Sequence, residues 1–564
     1  MVRRRSDRGS RVLPSSVTRA FVAALAALLF LAPAAVAQDL PMDLPGIAKL
    51  SAVASSVRAD PDTWLVGAKP GRESAQIARR FGAKHFGFPQ TGGYKVARSS
   101  ARAFADALKA ERLLVYAQAN VYRKPLQAVP DDPLSGPPND WRRLVADPAL
   151  APPPVTPQSP LIALVDAAAD MTHPEWTGDP NVATLPGTLV TDSHGTATMS
   201  VAVAPQNAIG ILGVWPGARA LNVPLATVPG TDGEITCDAS GDAIAKAVQN
   251  GASVINMSYG SPSRCAAEWV QIYFAVAKGI IPVAAAGNEF EQGNPLEFPA
   301  SLPHVVTVAA TTRDDKSARF SNANNAVDLS APGVDILTAV PPALPDPDKA
   351  QDGYSLQSGT SFSAPMVSAA VAWVRAARPD LTPDRVVQAV RLGARDVEKP
   401  GWDPLTGFGV LNVANSLNLP ADKLPIADPL EPNDNIVWVD GTAFGKPAPA
   451  IWNGGAAARV NALLDLQEDP IDVYRVVIPG GKTAKISVIP RFGDPSVEVF
   501  TSSAISVNDE DRRVAYGHKL GSKKTERVSV RNGGKSKHSY YIAVRPQGNS
   551  RYQEREYTLR VGAY

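Results

Sequence analysis

Between residues 161 and 418 the chain alternates short runs that are apolar almost throughout with stretches of helical pattern. The runs are Leu161–Val165, Val254–Met257, Ile280–Ala284 and Val305–Val308; helical stretches such as Asp242–Asn250 and Ala266–Ala277 lie between them. A strand with one wet face alternates apolar and polar residues, whereas a strand apolar on both faces must be covered on both. Strands of the second kind, separated by helices, predict an α/β fold: a mostly parallel sheet with helices on both faces.

The flanks read differently, and 564 residues leave room for about three or four folded units. Residues 60–123 pattern as a small α/β unit, with strands at Trp64–Val66, Tyr94–Val96 and Leu113–Val121 and helices at Glu73–Phe81 and Ser99–Glu111. A proline-rich linker follows, from Pro130 to Pro160. Beyond Ala421 an Asp/Pro/Asn-rich stretch gives way to short alternating strands, the pattern of a β-sandwich. The first 37 residues carry Arg3, Arg4, Arg5, Arg8 and Arg11, then apolar Ala20–Leu31, then Ala35-Val36-Ala37. That is the pattern of a signal peptide cut near Ala37–Gln38. Its apolar run falls short of the ~20 residues of a membrane span. The mature protein is therefore expected outside the cytoplasm, extracellular or periplasmic, with no stable membrane anchor. Export permits a disulfide, and Cys237 and Cys265 are the only cysteines. Both stand in loop-like sequence; a bridge is expected, two free thiols being the alternative. With 56 basic and 54 acidic side chains, no basic excess points to nucleic acid.

Three polar residues stand at the ends of apolar runs or in tight small-residue turns. Asp166 ends Leu161–Val165, His194 lies in Asp-Ser-His-Gly-Thr just before Ala197–Ala204, and Ser361 heads a helical stretch running to Ala377. A carboxylate, an imidazole and a hydroxyl at element ends can meet at one sheet edge, where a base-activated serine attacks an acyl carbon. The middle block resembles a subtilisin-family serine protease. Ser-Gly-Thr-Ser-Phe-Ser-Ala-Pro (358–365), His-Gly-Thr (194–196), Asn-Gly-Ala-Ser-Val-Ile-Asn-Met-Ser-Tyr-Gly (250–260) and Ala-Ala-Ala-Gly-Asn (284–288) carry the match, in the family's order. The resemblance implies Ser361 as nucleophile, His194 as general base then acid, Asp166 as orienting carboxylate and Asn288 as oxyanion donor. It departs in one place: Ala167-Ala168-Ala169 follow Asp166 where the family usually has a hydroxyl, then glycine, so a hydrogen bond to the carboxylate is expected to be missing. The implied function is a secreted serine endopeptidase made as a zymogen. Its rivals are a catalytically silent binding or adhesion protein and a maturation protease with one partner substrate.

The same resemblance gives expected boundaries: 1–37 signal peptide, 38–123 propeptide acting as intramolecular inhibitor, 124–419 catalytic domain, 420–564 a sandwich similar to prepeptidase C-terminal domains. The last rests on Glu-Pro-Asn-Asp-Asn (431–435), Asp-Val-Tyr-Arg-Val (472–476) and Ser-Tyr-Tyr-Ile-Ala-Val (539–544). Asn207–Val214 resembles the family's calcium loop, implying structural calcium held by Asn207, the carbonyls of Pro205, Ile209 and Ile211, Glu175 and Asp132. Ser258, Tyr259, Gly260, Glu289 and Glu297 are expected around the primary substrate pocket. Glu297 would favour Lys or Arg there, with a propeptide cut between Arg123 and Lys124. Protein or peptide substrates and a monomeric state complete the expectation.

Overall fold

The computed structural model describes residues 59–125, 141–147 and 150–563, apart from short gaps at 177, 208, 229–230, 232, 346–351, 429, 520, 522 and 548–555. The expected signal segment and Asp132 lie outside the described residues. Strands β1 (Ala59–Ala68), β2 (Lys84–Phe86), β3 (Gly93–Ala97) and β4 (Leu114–Pro125) form an antiparallel sheet in the order β2-β3-β1-β4. Helices α1 (Arg72–Arg80) and α2 (Arg98–Ala110) cover it, burying Ile77, Phe104 and Leu108 against Val66, Tyr94 and Val96.

The central sheet holds β5 (Ile162–Asp166), β6 (Val182–Thr184), β7 (Ala220–Pro224), β9 (Val254–Met257), β11 (Ile281–Ala285), β12 (Val306–Thr311) and β13 (Leu329–Pro332). Two short strands, β8 (Ile235–Thr236) and β10 (Tyr259–Gly260), stand outside it. The order is β13-β12-β11-β9-β5-β7-β6, and every pairing is parallel. β5, β9, β11 and β12 are buried at every residue, as strands covered on both faces must be. Helices α3 (His194–Val203), α4 (Cys237–Gln249), α5 (Ala266–Val276), α6 (Thr360–Ala377) and α7 (Pro383–Gly393) supply the cover. α6 is buried from Thr360 through Val374, so it runs through the core rather than over it.

α4 starts earlier than the sequence pattern indicates. The helical pattern begins at Asp242, yet the helix opens at Cys237 and buries Ser240 and Gly241 as well. The cysteines are therefore not in loops: Cys237 opens α4, and Cys265 is the N-cap of α5, its sulfur accepting the Glu268 N–H. A disulfide joins them, tying the two helix starts together.

The C-terminal part is a sandwich of two four-stranded antiparallel sheets. One orders Ala458–Ala462, Tyr557–Gly562, Thr483–Pro490 and Glu526–Arg531; the other orders Asp472–Ile478, His538–Pro546, Pro495–Thr501 and Arg513–Gly517. Val476, Ile486, Val488, Val497, Ile542 and Leu559 fill the space between them. Among the described residues no helix is long and apolar enough to cross a membrane.

Candidate active site

Parallel strands deliver their last residues to one edge of the sheet, and that edge carries the polar groups. Asp166 is the final residue of β5 and His194 the first of α3. The two meet at 2.6 Å, His194 Nδ1 to Asp166 Oδ1. Gly195 allows this approach: a Cβ there would stand 2.0 Å from the Ala167 carbonyl oxygen. The aspartate is 3% exposed, and two donors hold it besides the imidazole. The Ala167 N–H reaches Oδ1 at 2.7 Å and the Thr198 hydroxyl reaches Oδ2 at 3.0 Å. The hydroxyl missing after Asp166 is thus supplied from α3, one turn beyond His194.

Ser361 lies in the first turn of α6, where unpaired backbone N–H groups and the helix dipole favour negative charge. The His194 ring packs against Phe362, ring centres 5.9 Å apart. Ser361 is stitched to the next element: its Oγ lies 3.4 Å from the Ser258 carbonyl, and the Ser258 hydroxyl donates to the Ser361 carbonyl at 2.9 Å. Asn256 steadies Ser258 in turn (3.0 Å) and is itself held by Ser368 (3.0 Å). Asn288 follows β11; its Oδ1 accepts the Thr360 N–H (2.9 Å) and hydroxyl (3.0 Å). With the amide oxygen on Thr360, the amide nitrogen occupies the opposite edge.

Gly287 marks where the two glutamates converge. Its φ is 109°, and a Cβ would meet Asn322 Nδ2 at 2.3 Å, Glu297 Cγ at 2.7 Å and Glu289 Oε2 at 2.9 Å. Glu297 is buried at 3% exposure. Glu289 is half-buried and accepts the Asn288 N–H at 2.7 Å; burial pushes its carboxyl above the usual range.

The N-terminal sheet does not stop at its own domain. β4 runs on between two strands of the catalytic part, pairing antiparallel with β8 (Tyr122 opposite Thr236, Arg123 opposite Ile235) and with β10 (Lys124 opposite Gly260, Pro125 opposite Tyr259). Arg123 and Lys124 are therefore consecutive residues inside a paired strand. Polar contacts also fasten this sheet to the starts of α4 and α5. Gln118 Oε1 accepts the Ala266 N–H (2.6 Å), Asn120 Nδ2 donates to Asp238 (2.9 Å), and Lys95 pairs with the same Asp238.

At the opposite end of α3, Asn207 Nδ2 donates to the Glu175 carbonyl (2.6 Å), while Asn207 Oδ1 accepts the Ile209 N–H (2.9 Å). Glu175 is fully buried, with neutral partners: the Ile211 N–H at 2.7 Å and the Tyr354 hydroxyl at 3.5 Å. Burial pushes its carboxyl up to about 7. A buried carboxylate with no basic partner among the described residues fits a hard cation. Pro205, Ile209 and Ile211 stand in the same loop.

This arrangement matches known proteins. Residues 161–409 fit the model of the subtilase family. A subtilisin of Bacillus pumilus is 31% identical over 227 residues, which cover 39% of this chain and 78% of that protein. The chain belongs to the subtilase family. Subtilisin E of Bacillus subtilis (strain 168) is also 31% identical over 227 residues, but the match spans only 56% of its length, as it does for the first curated relatives. Fervidolysin of Fervidobacterium pennivorans is 28% identical over 312 residues, 51% of this subtilase and 44% of that protein. Its crystal structure, described as a keratinolytic enzyme related to subtilisin, superposes with a TM-score of 0.57 at 17% identity, over 90% of this chain and 96% of that one. The shared fold thus extends beyond the catalytic block.

Proposed function

We propose that this subtilase is a secreted serine endopeptidase made as a zymogen, with the segment from residue 38 through β4 serving as its own inhibitor. The observation that carries the reading is the placement of β4 against β8 and β10, ending beside a serine, a carboxylate-bound histidine and a pinned asparagine. A paired strand is how a cleft holds an extended peptide: backbone hydrogen bonds fix it, and side chains fall alternately into pockets. In this reading His194 takes the Ser361 proton as Oγ attacks the acyl carbon, and Asp166 stabilises the imidazolium. The oxyanion is met by Asn288 Nδ2 and the Ser361 N–H. His194 then protonates the leaving amine, and water releases the acyl group. Hydrolysis of denatured casein, abolished by a serine-directed sulfonyl fluoride, tests the reading; a chain that binds casein without cutting it overturns it.

Strand register supports a maturation bond later than Arg123–Lys124. Gly260 faces Lys124 and Tyr259 faces Pro125, so Ser258, whose carbonyl touches Ser361, corresponds to the residue after Pro125. The cut then falls at Leu126–Gln127, giving a mature chain that begins at Gln127. A mature N-terminus at Lys124 contradicts this.

Thr198 acts as a positioning residue. Removing one hydrogen bond to a charged group costs about 1.5 kcal/mol, so Thr198→Val lowers kcat/KM about tenfold. With Asp166 less well solvated, the imidazolium is held more firmly, and the acid limb of the pH–rate profile moves upward; Thr198→Ser restores both. A loss without a shifted limb assigns Thr198 to packing alone.

Glu297, beneath the Gly287 wall, favours a basic residue before the scissile bond through charge pairing in a partly dry pocket. Leu126 does not contradict this, since an intramolecular cut profits from effective molarity and needs no optimal side chain. Among matched peptides, those with Arg are cut faster than those with Leu or Phe, and the advantage disappears in Glu297→Gln. An advantage that survives the substitution removes Glu297 from the pocket.

Calcium held by Glu175, Asn207 and the loop carbonyls stabilises the fold. A carboxyl raised from 4.5 to about 7 binds its proton more tightly when folded, so stability falls as pH rises through that window. In chelator, the melting temperature of the inactive Ser361→Ala chain drops between pH 4.5 and 7 more than that of its Glu175→Gln derivative. Calcium cancels the difference; equal slopes in chelator and calcium contradict the site.

A further inference from the structure

The segment joining the catalytic domain to the sandwich gathers more buried carboxylate than its surroundings neutralise. Asp428 and Glu431 lie on the connecting chain; Asp469 and Asp472 lie just before and at the start of strand Asp472–Ile478. One oxygen from each of the four falls within 4.8 Å of the others. Several of their oxygens are satisfied by neutral donors: the Leu463 N–H on Asp428 Oδ2 (2.8 Å), the Asn433 N–H on Glu431 Oε2 (3.0 Å) and the Tyr557 hydroxyl on Asp472 Oδ2 (2.5 Å). Asp428 Oδ1, Glu431 Oε1 and Asp469 Oδ1 are buried without a hydrogen-bond donor, and Asp469 as a whole is only 9% exposed.

Among the described residues, the nearby cations also serve other carboxylates. Arg391 pairs with Asp328 (2.9 Å) and Glu468 (2.5 Å). His304 bridges Asp434 (2.9 Å) and Glu431 Oε2 (3.3 Å), one charge shared with a fifth carboxylate. Burial, then mutual repulsion, pushes Asp428, Asp469 and Asp472 well above the carboxylate range. Buried like charges are costly unless a counter-charge joins them. Carboxylate oxygens converging on one point are the donor set of a hard divalent ion, which takes six to eight oxygens and accepts water among them.

We propose that Asp428, Glu431, Asp469 and Asp472 bind a divalent, oxygen-seeking cation of the calcium class, at a site separate from the Glu175 loop. The ion fastens the first strand of the sandwich to the chain leaving the catalytic domain. Through Glu431 and His304 it also steadies the docking of the two domains. This inference does not depend on the protease reading, and its test does not read activity.

The test uses the full Ser361→Ala chain carrying Glu175→Gln, so that the loop carboxylate is absent and self-digestion is stopped. Calcium chloride is titrated by calorimetry. Terbium chloride is followed by tyrosine-sensitised emission, because the Tyr557 hydroxyl touches Asp472. The expected result is one calcium per chain and sensitised emission that calcium displaces. Adding Asp469→Asn weakens calcium binding at least tenfold and raises the melting temperature in chelator, since one repelling charge is gone. Asp428→Asn, on a half-buried residue, does the same should the first variant fail to fold. Absence of calcium binding and emission in the Glu175→Gln background overturns the proposal. So does binding that both asparagine variants leave unchanged, or a rise in melting temperature for Asp469→Asn that is equal with and without calcium; in that last case protons, not a cation, neutralise the cluster.

Discussion

Expressed as the full chain, Ser361→Ala accumulates as a precursor beginning near Gln38, its segment through Leu126 never removed. Its hydrolysis of denatured casein falls by a factor on the order of 10⁶. The size of the effect follows from the way the triad acts as one unit. Asp166 and His194 remain paired in the variant, but a base with no hydroxyl to deprotonate accelerates nothing, and only binding and oxyanion stabilisation survive. The maturation effect follows from β4. Its strand pairing with β8 and β10, the Gln118 and Asn120 contacts at the starts of α4 and α5, and the Lys95–Asp238 pair hold the segment in place. Mass spectrometry of the purified chain reads both outcomes. A small amount of wild-type enzyme added in trans should release the segment, showing that the variant is folded. Normal trimming of the variant alone, with no other protease present, refutes autoprocessing.

The parts of this architecture that the sequence reveals are those where one physical constraint dominates. β5, β9, β11 and β12 are buried on both faces, so their apolar runs admit little else. The sandwich is legible in its four inner strands and in the edge strands Asp472–Ile478 and Glu526–Arg531, but not in Ala458–Ala462 or Arg513–Gly517. Both are edge strands, half exposed, with too little apolar alternation to stand out. Asp166, His194, Asn288 and Ser361 are legible through family resemblance, whereas their supports are not. Thr198 could have been found, because it stands four residues after His194 and so on the same helix face. Thr360 reads as part of the serine motif, and nothing in its spacing tells that it holds Asn288. The maturation bond is hard to place for a related reason: composition attracts attention to arginine, but register decides which residue reaches Ser361, and register is set by pairing with β10. The Asp/Pro/Asn-rich stretch after Ala421 reads only as the opening of the C-terminal block. Its carboxylates acquire meaning only when the fold brings Asp428 and Glu431 to Asp469 and Asp472.

Asn288→Leu lowers kcat on peptide substrates by about 10²–10³ and leaves KM nearly unchanged. The argument is one of orientation. The Asn288 amide oxygen is fixed by both donors of Thr360, so the amide nitrogen has one direction in which to donate, and no reorganisation is needed when negative charge develops on the acyl oxygen. Such a bond is worth little to the neutral ground-state carbonyl and much to the oxyanion, which is why kcat moves and KM does not. Leucine keeps the volume and removes the donor, about 2.7–4 kcal/mol of transition-state stabilisation. Thr360→Val keeps Asn288 but removes one of the two contacts that aim it, so its loss should be smaller and of the same kind, in kcat. Because the same oxyanion forms during maturation, Asn288→Leu also trims its own segment slowly, and the kinetics are measured after trimming in trans. A fall of less than fivefold in kcat, or a loss carried by KM, assigns oxyanion stabilisation to the α6 N-terminus alone and removes Asn288 from that role.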